Sequence, residues 1–186
     1  SYEALLPYDI VVVQRQINPA MVKLMAALKR RGKVVIAETD DLIERVPLDN
    51  PAHAFYKPAD VDTYLECIET ADGVTVSTPE LRYNYSPLNR NTYVLPNYID
   101  FDLRPWPTPT FRNDGLVRLG WTGSASHAAD IMILGPVLKE LMDKYPNTVY
   151  VHYGVADLTS HLVSQYRLPA DRIEYIPPES FVLYPS

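Results

Sequence analysis

A single cysteine, Cys67, stands in the sequence. An intramolecular disulfide is therefore excluded, and a disulfide-stapled secreted scaffold with it. Cys67 falls in an amphipathic stretch and is expected to be a small buried hydrophobe. Long apolar runs are lacking too. Segments such as Ile10 to Val13 are far below the roughly 18 to 20 residues that cross a bilayer, and no signal peptide opens the chain. There is no basic excess: the net charge is −6, a sign that argues against general nucleic-acid or anionic-membrane binding. A cytoplasmic protein is expected, any association with the inner membrane face being carried by parts outside this chain. Glycine is scarce, 7 in 186 residues. Neither a G-x-G-x-x-G run nor a P-loop is present, which argues against a dinucleotide oxidoreductase or an NTPase. His127, His152 and His161 lack Cys or Asp partners at zinc-ligand spacing, and there is no G-x-S-x-G nucleophile elbow.

What is present is a chain 47% hydrophobic, enough for one ordinary domain or two small ones, with 17 prolines and 14 tyrosines. The prolines sit at element ends and punctuate an α/β pattern. Ile10 to Val13 reads as a strand buried on both faces. Asn18-Pro19 supplies an N-cap and a first-position proline. Met21, Leu24, Met25 and Leu28 then repeat at helical spacing. Lys29, Arg30 and Arg31 suit the last turn, and Gly32 ends it. Lys33 to Ala37 is the next strand. Val61 to Ala71 predicts a helix, Gly73 to Ser77 a strand, Thr78-Pro79-Glu80 another helix start, and Thr92 to Leu95 a strand. This alternation predicts a doubly wound parallel sheet.

Periodicity stops from Phe101 to Asp114, where Arg104 to Arg112 is proline-rich and reads as a semi-rigid linker. It then restarts. Val117 to Trp121 is a strand, and Ile131 to Lys144 a helix expected in two pieces because of Pro136. Thr148 to Tyr153 is a strand ending at Gly154, Leu158 to Arg167 a helix, and Ile173 to Ile176 a strand. The expectation is two partial Rossmann-like domains, 1–103 and 116–186, joined by a linker over 104–115. Both sheets look cut, as in an interior fragment of a longer protein.

Candidate chemistry lies at the strand ends, where open α/β sheets bind ligands. Thr122-Gly123-Ser124-Ala125-Ser126-His127 joins a strand to a helix. Its glycine allows close approach, its hydroxyls and His127 can donate, and free N–H groups at the helix start face an anion. A diphosphate site and a plain turn capped by serine both fit these residue types. Asp40 and Asp41, after Glu38-Thr39, could act as base, bind a sugar hydroxyl, hold a divalent cation, or simply cap a helix. Asn97 and Asp100 close the last strand of the first half, as ligand contacts or as Asx turns. Gly154 is a second point for close approach to a nucleotide, or only a turn. Tyr83, Tyr85, Tyr93 and Tyr98 are read as packing and cleft-wall residues.

Taken in order, Ala71-Asp-Gly-Val-Thr-Val-Ser-Thr-Pro-Glu-Leu81, Val94-Leu-Pro-Asn-Tyr-Ile-Asp100 and Arg118-Leu-Gly-Trp-Thr-Gly-Ser124 with His127 and Asp130 resemble the family-4-like bacterial glycosyltransferases. Thr39-Asp40-Asp41 resembles an acidic pair seen after an earlier strand of that family. The resemblance, over roughly residues 8 to 155, implies a twin-Rossmann (GT-B) architecture. It also implies transfer of a sugar from a nucleotide diphosphate sugar to a glycan, lipid-linked or protein acceptor in a cleft between domains. Thr122, Gly123, Ser124 and His127 would lie near the donor diphosphate. Asp40 and Asp41 would be catalytic, and Thr39, Asn97 and Asp100 would line the acceptor side. No cofactor and no obligatory metal are expected, because amides, a helix dipole and basic groups stabilise the leaving diphosphate. The family's later spaced glutamates and its diphosphate-neutralising Arg and Lys are not evident here. A non-catalytic Rossmann-like binding or assembly module and a GT-B nucleotide-sugar epimerase are the alternatives.

Overall fold

The computed structural model describes residues 2–98, 112–154 and 156–177. The chain folds as two units, Ser1–Val46 with Ala54–Ile99, and Pro47–His53 with Asp100–Ser186.

The first unit is a four-stranded parallel sheet in the order β1-β2-β3-β4. Its elements are β1 (Ile10–Gln14), α1 (Pro19–Arg30), β2 (Val34–Thr39), α2 (Pro58–Thr70), β3 (Gly73–Val76), α3 (Pro79–Tyr85) and β4 (Thr92–Val94). The helix starts follow the local chemistry. Asn18 Oδ1 accepts from the Ala20 N–H at 3.0 Å and Thr78 Oγ1 from that of Leu81 at 3.2 Å, each before a first-position proline. α2 begins at Pro58, three residues before the expected Val61, where the Asp60 carboxylate accepts from the Lys57 N–H at 3.0 Å. Met25, Leu28, Val35, Ile68 and Val74 form the centre of the core. Cys67 is buried among them, and burial pushes its thiol up to about 11.

Two expectations fail here. β1 is not buried on both faces: Val11 and Val13 are buried, whereas Ile10 and Val12 are 61% and 60% exposed. Nor, among the described residues, is the sheet doubly wound. Successive strands are added in one direction, and right-handed crossovers then place α1, α2 and α3 on one face. The opposite face, carrying Ile10, Val12 and Val34, has no helical layer among the described residues.

The second unit has a three-stranded parallel sheet in the order β5-β6-β7. It contains β5 (Val117–Gly123), α4 (Ala128–Lys144), β6 (Thr148–Gly154), α5 (Ala156–Tyr166) and β7 (Ile173–Ile176). Ile131, Leu138, Met142, Tyr150, Leu162 and Leu168 make its core. On the other face Arg118 bridges to Glu174 at 3.4 Å; its bond to Asp114 holds that carboxyl down at about 2.

The expected break at Pro136 does not occur: α4 is one helix. A helical proline deprives the carbonyl four residues earlier of its N–H donor. That carbonyl belongs to Met132, and the Tyr166 hydroxyl of α5 donates to it at 2.9 Å. Gly135 makes room, since a Cβ there would lie 2.0 Å from the Tyr166 ring. Tyr166→Phe is therefore expected to destabilise the unit by about 1–2 kcal/mol, the cost of leaving a part-buried carbonyl without its donor. Adding Pro136→Ala, which restores a backbone donor, should recover most of the loss. Urea midpoints of the three proteins test this, and no recovery in the double variant would sink the explanation.

Candidate functional site

In the second unit, Thr122 and Gly123 are the last residues of β5, not part of the loop. Gly123 is the register partner of Gly154, the last residue of β6. Gly154 has φ +148°, and a Cβ on it would fall 2.4 Å from the Gly123 carbonyl oxygen. A Cβ on Gly123 would in turn lie 2.5 Å from the Trp121 ring, so both glycines are required by the close packing of the two strand ends. Beneath them His152 is fully buried, its Nδ1 3.0 Å from the Tyr150 hydroxyl and its ring 4.9 Å from that of Trp121. Tyr175, on β7, donates to the Gly154 carbonyl at 3.0 Å.

Ser124 then leads a 3-10 turn, Ala125–His127, that runs into α4. No side-chain cap bond forms at Ser124; its hydroxyl instead pairs with that of Ser126 at 2.6 Å. The N–H groups of Ala125 and Ser126 make no hydrogen bond among the described residues. Asn50 Nδ2 donates to the Ser126 carbonyl at 3.0 Å. His127 Nδ1 donates to Asp130 Oδ2 at 2.8 Å. This tautomer makes Nε2 an acceptor on the neutral ring and a donor on the imidazolium. Two open amides, two hydroxyls and a helix start form a turn suited to phosphate oxygens.

In the first unit, Asp40 and Asp41 follow β2 and share one cation that sequence reasoning missed. Arg15 hydrogen-bonds Asp41 and stands 3.4 Å from Asp40. Burial works against its charge, but Asp40 and then Asp41 outweigh it and hold the guanidinium above its ordinary range. These pairs are half-exposed, so their contribution to stability is small, about 0–1 kcal/mol; what they set is position. Arg15 has φ +40°, an uncommon left-handed conformation for a side chain of this size. It turns the chain directly after β1, and its N–H still donates to the Glu38 carbonyl at 3.1 Å.

Thr39 is buried inside a hydroxyl cluster beneath the acidic turn. Its Oγ1 accepts from Tyr64 at 2.7 Å and donates to the Asp41 carbonyl at 3.2 Å. Tyr85 donates to Glu44 Oε2 at 2.9 Å, with the Tyr64 hydroxyl and the Asp41 carbonyl each 3.0 Å away. Burial, with the nearby groups partly offsetting it, pushes Tyr64 up to about 12. Burial first, then Tyr64 and Glu44, drive Tyr85 higher still. Both phenols remain protonated donors over any working pH. Of the four tyrosines grouped as packing residues, Tyr85 alone is buried; Tyr83, Tyr93 and Tyr98 are exposed, because they stand on the outer side of α3, on the open sheet face and in the segment after β4.

Asn97 lines a pocket of about 290 Å³ at the carboxyl ends of β2, β3 and β4, together with Glu38, Thr75, Pro96 and Tyr98. Asp100, and the proline-rich segment through Phe111, lie outside the described residues. Arg15 and the hydroxyl network of Tyr64 and Tyr85 are what sequence reasoning passed over, whereas Glu38 is read there together with Thr39, Asp40 and Asp41. For Arg15 a signal existed, since it sits at the carboxyl end of a strand, where ligands bind. Among the described residues no three His, Cys, Asp or Glu side chains gather as a metal-ligand set, and no helix is long and apolar enough to cross a membrane.

Two parallel-sheet α/β units give the chain a GT-B-like fold, and solved structures show the same likeness. A Staphylococcus aureus TarM variant in complex with fondaparinux, alpha-GlcNAc-glycerol and UDP superposes at TM-score 0.61 with 12% identity, covering 96% of this chain and 36% of that one. The pneumococcal O-GlcNAc transferase GtfA, in complex with UDP and GlcNAc, gives 0.58 and 11%, covering 96% and 36%. A UDP-N-acetylglucosamine 2-epimerase gives 0.51 and 12%, covering 97% and 48%. The chain thus spans between about a third and a half of the length of these structures. No family model and no curated protein matches it.

Proposed function

We propose that this chain is a portion of a glycosyltransferase that takes a sugar from a nucleotide diphosphate donor, and that the second unit holds the donor's diphosphate. The observation that carries this is the turn between the carboxyl end of β5 and the start of α4, with the amides of Ala125 and Ser126 open among the described residues. In such a reaction an acceptor oxygen bonds to the anomeric carbon as the bond from that carbon to the diphosphate oxygen breaks. The charge left on the diphosphate is stabilised by amides already oriented toward it. The proton lost by the acceptor passes to a carboxylate, a role assigned to Asp40 and Asp41. That the named transferases of similar fold were solved with UDP supports uridine diphosphate as the first ligand to try.

In the intact protein, saturating UDP is expected to slow hydrogen exchange of the backbone amides from Gly123 to Ala128 by at least about tenfold, a local stabilisation of roughly 1.4 kcal/mol. Unchanged exchange there would sink the proposal. The epimerase likeness favours a second reading, in which the donor is rearranged without an acceptor. Product analysis separates the two: an epimer formed from UDP-N-acetylglucosamine alone supports it, and transfer only in the presence of an acceptor excludes it.

A further inference from the structure

The pocket at the carboxyl ends of β2 to β4 has a chemistry of its own. Glu38 and Thr75 are register partners on adjacent strands, so their side chains share one face about 5 Å apart. Asn97 and Tyr98 come from the segment after β4. Among the described residues, the side chains of Glu38, Thr75 and Asn97 form no hydrogen bond or ion pair. Within the described residues, that bonding capacity is open to a ligand. A carboxylate only accepts, a hydroxyl does both, and a carboxamide offers two donors and an acceptor. That set matches vicinal hydroxyl groups, each of which donates and accepts. Pro96 and the 85%-exposed Tyr98 add an apolar surface that suits the C–H face of a sugar ring. Ligand pockets usually run from about 300 to 1,000 Å³, so about 290 Å³ fits one ring and not an extended chain.

The lining includes no Lys, Arg or His, and its one charge is negative. A phosphate brought against Glu38 would meet like charge with no compensating cation in the lining, and such juxtapositions are strongly disfavoured in partly enclosed sites. We infer that this pocket is a subsite for an uncharged sugar ring and that Glu38 is the residue that discriminates against phosphorylated ligands. This deepens the transferase reading and rests on it: the acceptor would present a neutral sugar, not a phosphate-bearing group, to this unit.

The test titrates the intact protein with methyl β-D-glucopyranoside and with glucose 6-phosphate, following amide and side-chain NMR shifts of Thr75, Asn97 and Tyr98. The neutral glycoside should shift all three. Glucose 6-phosphate should bind at least about tenfold more weakly, and Glu38→Gln should bring the two affinities within about threefold. Equal or tighter binding of the phosphate by the unaltered protein overturns the inference, as does the absence of shifts with the glycoside; neither outcome depends on the variant. UDP protection of Gly123 to Ala128, measured on the same samples, reports on the donor reading separately. If that protection is present and the sugar shifts are absent, only the subsite fails. If the sugar shifts are present without protection, the transferase reading fails.

Discussion

Gly154→Ala is expected to destabilise the second unit by about 2–5 kcal/mol, combining the cost of an L side chain at an unfavourable φ with that of a forced core contact. The geometry leaves no inexpensive escape. At φ +148° a side chain is strained whatever the space, and the new methyl would meet backbone, the Gly123 carbonyl oxygen at 2.4 Å. That oxygen belongs to the paired strand and shifts only if the end of the β5–β6 ladder opens. Opening would disturb the Tyr175 bond to the Gly154 carbonyl and the start of the Ser124 turn. The check is urea unfolding followed by Trp121 fluorescence, with Trp106 replaced by phenylalanine. A change below about 0.5 kcal/mol, the ordinary scatter of surface substitutions, would show that the strand ends are not constrained as described. UDP protection of the loop should be lost in the same variant.

The second large effect is expected at Tyr85. Removing this fully buried ring as Tyr85→Ala should cost the first unit about 3–5 kcal/mol. Tyr85→Phe isolates the hydroxyl: the ring remains, but Glu44 loses its donor, for about 1–3 kcal/mol. Tyr64→Phe acts on the same network through Thr39. The two Phe substitutions should therefore couple by about 0.5 kcal/mol or more, because removing either hydroxyl already breaks the chain that holds the acidic turn. Hydrogen exchange of β2 and β3 amides, read in the singles and the double, measures this. Strict additivity would mean that the two phenols act independently and that the turn is held by packing alone.

Much of the fold could be read before the structure because it is local. Asn18-Pro19 and Thr78-Pro79 cap helices through atoms within three residues, and Gly32 ends α1 at φ +72° by its own freedom. What could not be read depends on partners distant in sequence. An Ile-Val-Val-Val run is the same string whether one face of its sheet is covered or both, so the exposure of Ile10 and Val12 was not legible. Pro136 signals a break by every local rule, and the donor that prevents it lies thirty residues away on Tyr166. Gly123 stood out as a loop glycine and Gly154 as a strand-end glycine, but their opposition comes from strand register. Arg15 stands at a strand's carboxyl end, which is a signal, but neither its left-handed backbone nor the pair of carboxylates it faces is legible from the local string.

The contact between α4 and α5 has a consequence for how the sequence can change over time. Gly135, Pro136, Met132 and Tyr166 form an interdependent set with a permitted order of substitution. Pro136 can be replaced first, since a restored backbone donor and the Tyr166 hydroxyl can share the Met132 carbonyl. Once that has happened, Tyr166 and then Gly135 are released. In the opposite order, a bulkier residue at 135 expels the tyrosine while the proline still needs it. Replacements at these positions should therefore be found in chains that have already lost the proline, an epistatic ratchet set by one hydrogen bond.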